Sequence, residues 1–295
     1  MSKCKILSFG EVLWDIYPDK SVIGGAPFNF SAHAVMQGAD VDLISAVGKD
    51  ELADKTLAEI KNKGVGCEYV HVSQYDTGYC SVTLDNGIPS YNLVSPVAYD
   101  DIKLTDTEIK DIINSNYNYL YVGTLALRNK ASFNTFRNLA KAFNGKIICD
   151  VNLRQHYYSK ELLDYLFNVA SVIKISREEL SAVTEALNLS ADYDIFAKEL
   201  SKTKSNIELI VLTLDKDGAV VFDLRNSEIK SYYSQKPQSK VLSTVGAGDS
   251  FFGAFITSYF SGKSLSDCLN KAVNVSDYVV TRLEAIPDLP PELKN

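Results

Sequence analysis

The chain has 295 residues, 46% hydrophobic and 23% charged, which is ordinary for a globular protein with a large buried core. Its formal net charge of −7 argues against nucleic acid and anionic membranes as partners, so an anionic ligand has to be held by local donors. No run approaches the roughly 18 apolar residues of a membrane span, and no apolar signal core opens the chain. Five scattered cysteines without a C-x-x-C suit a reducing cytoplasm. His33, His71 and His156 are far apart, so no zinc site is expected.

Lys5-Ile-Leu-Ser-Phe9 predicts a buried strand ended by Gly10, and Asp15 is expected just past the end of a second strand-like run. Ligands of open α/β sheets sit at such ends, although a single aspartate is more often a surface loop residue. Gly24-Gly25 allows a turn or a close approach of backbone to ligand, and Pro27 suits the first turn of a helix running to Gly38. Asn29 offers a donor and an acceptor to hydroxyls, or a simple cap. His33 shares its helix face and reads as a packing residue.

Residues 41–47 predict a strand, followed by an amphipathic helix from about Asp50 to Gly64. Residues 78–85, Asn86-Gly87 and 88–94 predict a hairpin outside the main sheet, a lid or small second domain. From the capping box Thr105-x-x-Glu108, short apolar strands (119–122, 146–151, 172–175, 207–213) alternate with helices (129–143, 159–168, 177–187, 193–203). That alternation predicts a mainly parallel α/β sheet covered by helices on both faces. A hairpin at 219–233 and helices over 247–261 and 264–283 close the chain. Asp150, Asn152, Arg154, Lys174, Glu179 and Thr213 crowd the strand ends, where an active site is expected.

Gly246-Ala-Gly-Asp249 opens the helix over 247–261. Two glycines leave backbone N–H groups uncovered, and the helix aims its positive end at one point, which suits a phosphate. A carboxylate there makes sense if it removes a proton from a group attacking phosphorus. The same residues also read as a turn with a helix-starting aspartate, and no Walker loop is present.

With Gly24-Gly-Ala-Pro-Phe-Asn29 and Thr244-Val-Gly-Ala-Gly-Asp249 both in place, the chain resembles the ribokinase-like (PfkB) carbohydrate kinases over nearly its whole length. Gly10-Glu-Val-Leu, Asp150-Val-Asn-Leu-Arg154 and the hairpin are most similar to fructokinases. The resemblance implies a ribokinase-like fold in one unit, 1–295, with the lid drawn mainly from segments around 10–24 and 67–98. It implies ATP-dependent phosphorylation of a primary sugar hydroxyl, with Mg2+ riding on the nucleotide and few direct protein ligands. Fructose is the first substrate implied. Ribose, a nucleoside and 2-keto-3-deoxygluconate are the alternatives, and a sugar-binding regulatory protein is the rival of another class.

By the same resemblance Asp249 is the base, and Gly246, Ala247 and Gly248 form the anion hole. Asp15, Gly25 and Asn29 match sugar contacts, and Arg154 a contact to substrate or phosphate. Glu179 matches an Asn-x-x-Glu motif that here carries Ser176. Thr213 and Gly218 match a nucleotide loop, and Asn274 a position near adenine. Pairing of two copies through lid strands is a further implication. Three departures, Asp215 and Glu284 for Gly and Ser243 for Asp, fall on the nucleotide side or near the family's monovalent-cation loop and bear on nucleotide affinity; Ser243 and Glu284 predict weak or absent stimulation by a monovalent cation.

Overall fold

Alternate residues of the central strands point into two different cores, and that alternation places the helices. In a computed structural model of the chain, residues 3–85 and 88–294 are described. Strand β1 (Lys5–Phe9) leads into two short strands, β2 (Leu13–Ile16) and β3 (Ser21–Gly24). Helix α1 (Ala26–Met36), β4 (Asp40–Val47), α2 (Glu51–Asn62) and β5 (Val70–Val72) follow. The hairpin strands are β6 (Tyr79–Asp85) and β7 (Ile88–Leu93); their Asn86-Gly87 turn lies outside the described residues.

The regular half runs α3 (Asp106–Asn114), β8 (Tyr119–Val122), α4 (Lys130–Ala142), β9 (Lys146–Asp150) and α5 (Lys160–Val169). It continues through β10 (Val172–Ser176), α6 (Arg177–Leu187), α7 (Tyr193–Thr203) and β11 (Leu209–Thr213). Strands β12 (Ala219–Asp223) and β13 (Lys230–Tyr233) precede the last helices, α8 (Ala247–Phe260) and α9 (Leu265–Val279).

Nine of the described strands form one sheet in the order β13-β12-β11-β10-β9-β8-β1-β4-β5. Every pair from β11 to β5 is parallel, while β12 and β13 extend one edge as an antiparallel hairpin. Leu209 and Val211 of β11 join the core of α1, α8 and α9, whereas Ile210 and Leu212 join that of α3 to α7. This is the ribokinase-like α/β fold, with strands buried on both faces.

The four remaining strands form a small sheet, β3-β2-β6-β7, with β2 parallel to β6 and the other pairs antiparallel. Asp15 therefore lies inside a strand of this sheet, paired with Cys80 and Val22, rather than past a strand end. Alternation over four residues is too short to reveal which sheet a strand joins. The small sheet is fastened to the body by side chains. Trp14 Nε1 donates to Thr56 Oγ1 (2.8 Å), Arg128 to the Val94 carbonyl (2.7 Å) and the Tyr157 hydroxyl to the Leu93 carbonyl (3.1 Å). Arg128 is held in turn by a buried ion pair with Asp100, at 2.7 and 2.9 Å.

Helix α9 ends at Val279, four residues before the predicted 283. The Val280 carbonyl instead takes the N–H groups of Leu242 and Ser243, and 281–286 bend back over the start of α8. Among the described residues no helix is long and apolar enough to cross a membrane.

Candidate active site

Two helices from opposite ends of the chain meet at the C-terminal rim of the sheet. Their contact is close because Gly253 of α8 faces α1. A Cβ there would lie 3.1 Å from Ala34 N and 3.3 Å from the Phe30 carbonyl, so any other residue would push the backbones a few tenths of an ångström apart. Phe30 stacks on Tyr121 of β8 at 4.1 Å and so fixes α1 against the sheet. Asn29 lies one residue before Phe30, and Asp249 one turn before Gly253. Asn29 Nδ2 consequently donates to Asp249 Oδ2 at 2.8 Å, across 220 residues of sequence. Asn29 Oδ1 is buried and has no partner among the described residues.

The start of α8 is set by Gly246, which caps the helix at φ 79°, and a side chain there would run into the backbone of Ala285. The Ala285 carbonyl is itself held by His33 Nε2 at 2.8 Å, one turn beyond Asn29. Burial pushes the His33 pKa down to about 4, so the ring is neutral and Nε2 donates. His33 is thus a packing residue, as expected, and one that braces the turn. The N–H of Ala247 is spent on the Thr244 carbonyl, whereas those of Gly248 and Asp249 meet no backbone acceptor among the described residues. Two free donors at a helix N-terminus, with glycine between them and any ligand, fit a phosphate group.

Carboxyl groups line one side of this junction. Glu11, at the end of β1, is 2% exposed, and its Oε2 has no partner among the described residues. Burial pushes its pKa up to about 7, against the pull of an Ala26 N–H and the Arg154 charge. Burial also raises Asp15 and Asp249, and Arg154 opposes both shifts. The exposed Arg154 therefore faces three acids from three elements, the end of β1, strand β2 and helix α8. Gly25 caps α1 at φ 107°, and a Cβ there would lie 2.5 Å from the Glu11 carbonyl.

Beneath the α8 turn, Lys174 of β10 bonds both oxygens of Asp150 at 2.9 Å, and both residues are buried. Glu179 spends one oxygen on the Ser176 N–H (2.8 Å), closing a capping box, and the other on the Leu153 N–H (2.7 Å). It thereby anchors the loop that carries Arg154.

Along the neighbouring rim the side chains are more exposed. Thr213 ends β11, and Asp215 follows at φ 51°. That left-handed backbone is why glycine suits the position, and aspartate is among the few other residues that tolerate it. Gly218 (φ 90°) lies against Ser234 and Gln235. Asn274, exposed on α9, accepts from Gln235 Nε2 at 2.5 Å. Ser243 Oγ accepts from Val245 N at 3.2 Å, and Glu284 is exposed.

The fold brings Asp249, Gly246, Ala247, Gly248, Asn29, Gly25, Asp15 and Arg154 together on one side of the rim. Glu179 lies behind the Arg154 loop. Thr213, Gly218 and Asn274 lie toward the β11–α9 side. Sequence reading passed over Glu11 as a site residue and noted Lys174 only as a strand-end polar group. The available signal was a charged residue inside, or directly after, an otherwise apolar strand. A recess of about 480 Å³ opens elsewhere, among residues such as Asn116, Tyr117, Asn144 and Phe260, and holds none of these groups.

Residues 12–292 match the pfkB family carbohydrate kinase, and the chain belongs to that family. It is 26% identical to an ATP-dependent 6-phosphofructokinase of Thermoanaerobacterium thermosaccharolyticum, over 98% of this chain and 91% of that one. It is 25% identical to fructokinase-2 of Solanum lycopersicum, over 97% and 93% of the two chains. Among solved structures, a fructokinase from Vibrio cholerae O395 with fructose, ADP and calcium bound superposes with a TM-score of 0.76 at 22% identity. That likeness covers 97% of this chain and 96% of that one. The protein is thus a carbohydrate kinase by family, which makes it a phosphotransferase with an alcohol group as acceptor.

Proposed function

We propose that the protein transfers the γ-phosphoryl group of ATP to a primary hydroxyl of a neutral sugar, with fructose the first substrate to test. The observation that carries this reading is the Asn29–Asp249 bond at the start of α8. It holds one carboxylate oxygen in place beside two free backbone N–H groups. Asp249 accepts the proton of the attacking hydroxyl as the oxygen–phosphorus bond forms. The N–H groups of Gly248 and Asp249 take up charge on the transferring group. Asp15, carried by the small sheet, and Asn29 accept and donate hydrogen bonds to the other sugar hydroxyls, and the sheet excludes water as a lid. Mg2+ bound to the nucleotide would neutralise phosphate charge. Both oxygens of Glu179 already accept backbone N–H groups, so this residue supports the rim instead of reaching for the metal. Thr213, Gly218 and Asn274 form the nucleotide side.

A neutral sugar is favoured over a sugar phosphate or sugar acid by charge. Arg154 is an exposed cation whose charge reaches Glu11, Asp15 and Asp249 alike. A second anion there would meet repulsion from Asp15 and Asp249, and from Glu11 once it ionises. The test is ADP release with fructose, ribose, adenosine, 2-keto-3-deoxygluconate and fructose 6-phosphate. Fructose is expected to give the highest kcat/KM. A preference for either anionic compound would overturn the charge argument, and no turnover with any would favour a binding protein.

A further inference from the structure

Lys174 occupies a position where its own strand is apolar on either side, opposite Asp150 of β9. Its neighbours Val172, Ile173 and Ile175 are fully buried, and Lys174 itself is 4% exposed. A buried ammonium is costly unless paired, and Asp150 pairs it through both oxygens. Pairing explains why the charge is tolerated and not why it is there, because two apolar residues would serve the core at least as well.

Its location supplies the reason. A Cβ on Gly248 would lie 3.1 Å from Lys174 Nζ and 3.6 Å from Cε. The second glycine of the turn thus leaves a gap through which the ammonium comes up against the first turn of α8. The turn it touches is the one with free N–H groups at Gly248 and Asp249. The Lys174 charge also reaches Asp249, opposing the effect of burial on its carboxyl. Around that carboxyl stand Asn29 from α1, Lys174 from β10, Arg154 from the loop after β9 and Glu11 from the end of β1.

We infer that Lys174 is a positioning residue for phosphoryl transfer. Its ammonium, oriented by Asp150, reinforces the positive end of α8 through the gap at Gly248 and so stabilises the charge of the group in transit. The ammonium acts through the turn, in a site shielded from water, where a fixed charge is worth more than at the surface. The inference rests on the kinase reading above.

The test uses two variants. Lys174→Gln with Asp150→Asn removes both charges while leaving amides able to bond each other. Its kcat is expected to fall about 10–100-fold, below the loss for a donor in direct contact. Sugar KM and ADP affinity should move by less than about threefold, and affinity for ADP with fluoroaluminate should fall in step with kcat. Lys174→Arg keeps a cation paired with Asp150, and its kcat should stay within about fivefold of wild type. A double variant that keeps wild-type kcat overturns the inference. So does a Lys174→Arg variant that loses as much as the double one, because the positive charge itself would then not matter. If thermal unfolding shows that the double variant does not fold, Lys174→Arg decides alone: retention of kcat supports the inference and a tenfold loss refutes it. Absence of ADP release by wild type with every sugar would fail the kinase reading itself, which is a different result from an active wild type and an equally active variant.

Discussion

The rim of the sheet has two halves built on different principles. At the α1–α8 junction the polar groups are desolvated. Glu11, Asn29, Asp150 and Lys174 are each no more than 5% exposed, and helix backbones touch through Gly253. Around 213–218 and 234–243 the bonds run between exposed side chains. Asp217 holds Arg177 and Lys236 at 2.9 and 3.0 Å, Asn274 holds Gln235, and Asp277 holds Ser239. Val241, Leu242 and Val245 stand open beside them. Coulomb interactions are strong in the first half and screened in the second. The first half is therefore where single charges decide chemistry. In the second, most single ion pairs contribute under about 1 kcal/mol.

The largest effect that would sharpen this contrast lies at Asp249. Asp249→Asn is expected to lower kcat by about 10²–10⁴ while leaving sugar and ATP binding nearly unchanged. Turnover above half of wild type would remove Asp249 from the chemistry. Asp15→Ala comes next. Losing the acceptor leaves sugar hydroxyls desolvated and unpaired, so sugar KM should rise by about 10-fold or more, with much less effect on ATP KM. Equal effects on both substrates would make Asp15 structural.

A smaller effect is expected in stability. The Glu11 pKa of about 7 stands above its ordinary 4.5, so the folded chain favours the protonated carboxyl. The stabilisation is fully present below pH 4.5 and is lost as pH rises through 7. Glu11→Gln stays neutral throughout. Its stability relative to wild type should therefore climb between pH 5 and 8, by at most on the order of 3 kcal/mol. Burial also pushes Asp150 up, but that residue is common to both proteins and cancels in the difference. A difference that stays flat with pH would mean that water reaches Glu11 and that the two halves differ less than their burial implies.

The smallest expected effect belongs to the exposed half. Ser243 spends its oxygen on Val245 N, the Val280 carbonyl already takes two N–H groups, and Glu284 points into solvent. A potassium ion beside the α8 turn would find these groups already engaged or turned to solvent. Turnover in potassium and in tetramethylammonium, at equal ionic strength, should agree within about twofold. A several-fold gain in potassium would show that this half also controls charge at the turn.

The sequence by itself determined the strand–helix alternation from Thr105 to Thr213, because apolar runs of four or five residues between capped helices admit little else. It also marked the two glycine turns, since Gly25 and Gly246 hold backbone angles that other residues avoid. What it left open were the placements made by contacts distant along the chain. The sheet that Asp15 joins was settled by pairing with β6, more than 60 residues away. The bond between Asn29 and Asp249 needed two helices in contact at Gly253. The end of α9 was set by a loop claiming the Val280 carbonyl. Lys174 and Glu11 acquired a meaning only once the turn of α8 was in place beside them. Local pattern reports propensity and burial, whereas the fields and contacts at this rim are sums over elements that tertiary packing alone assembles.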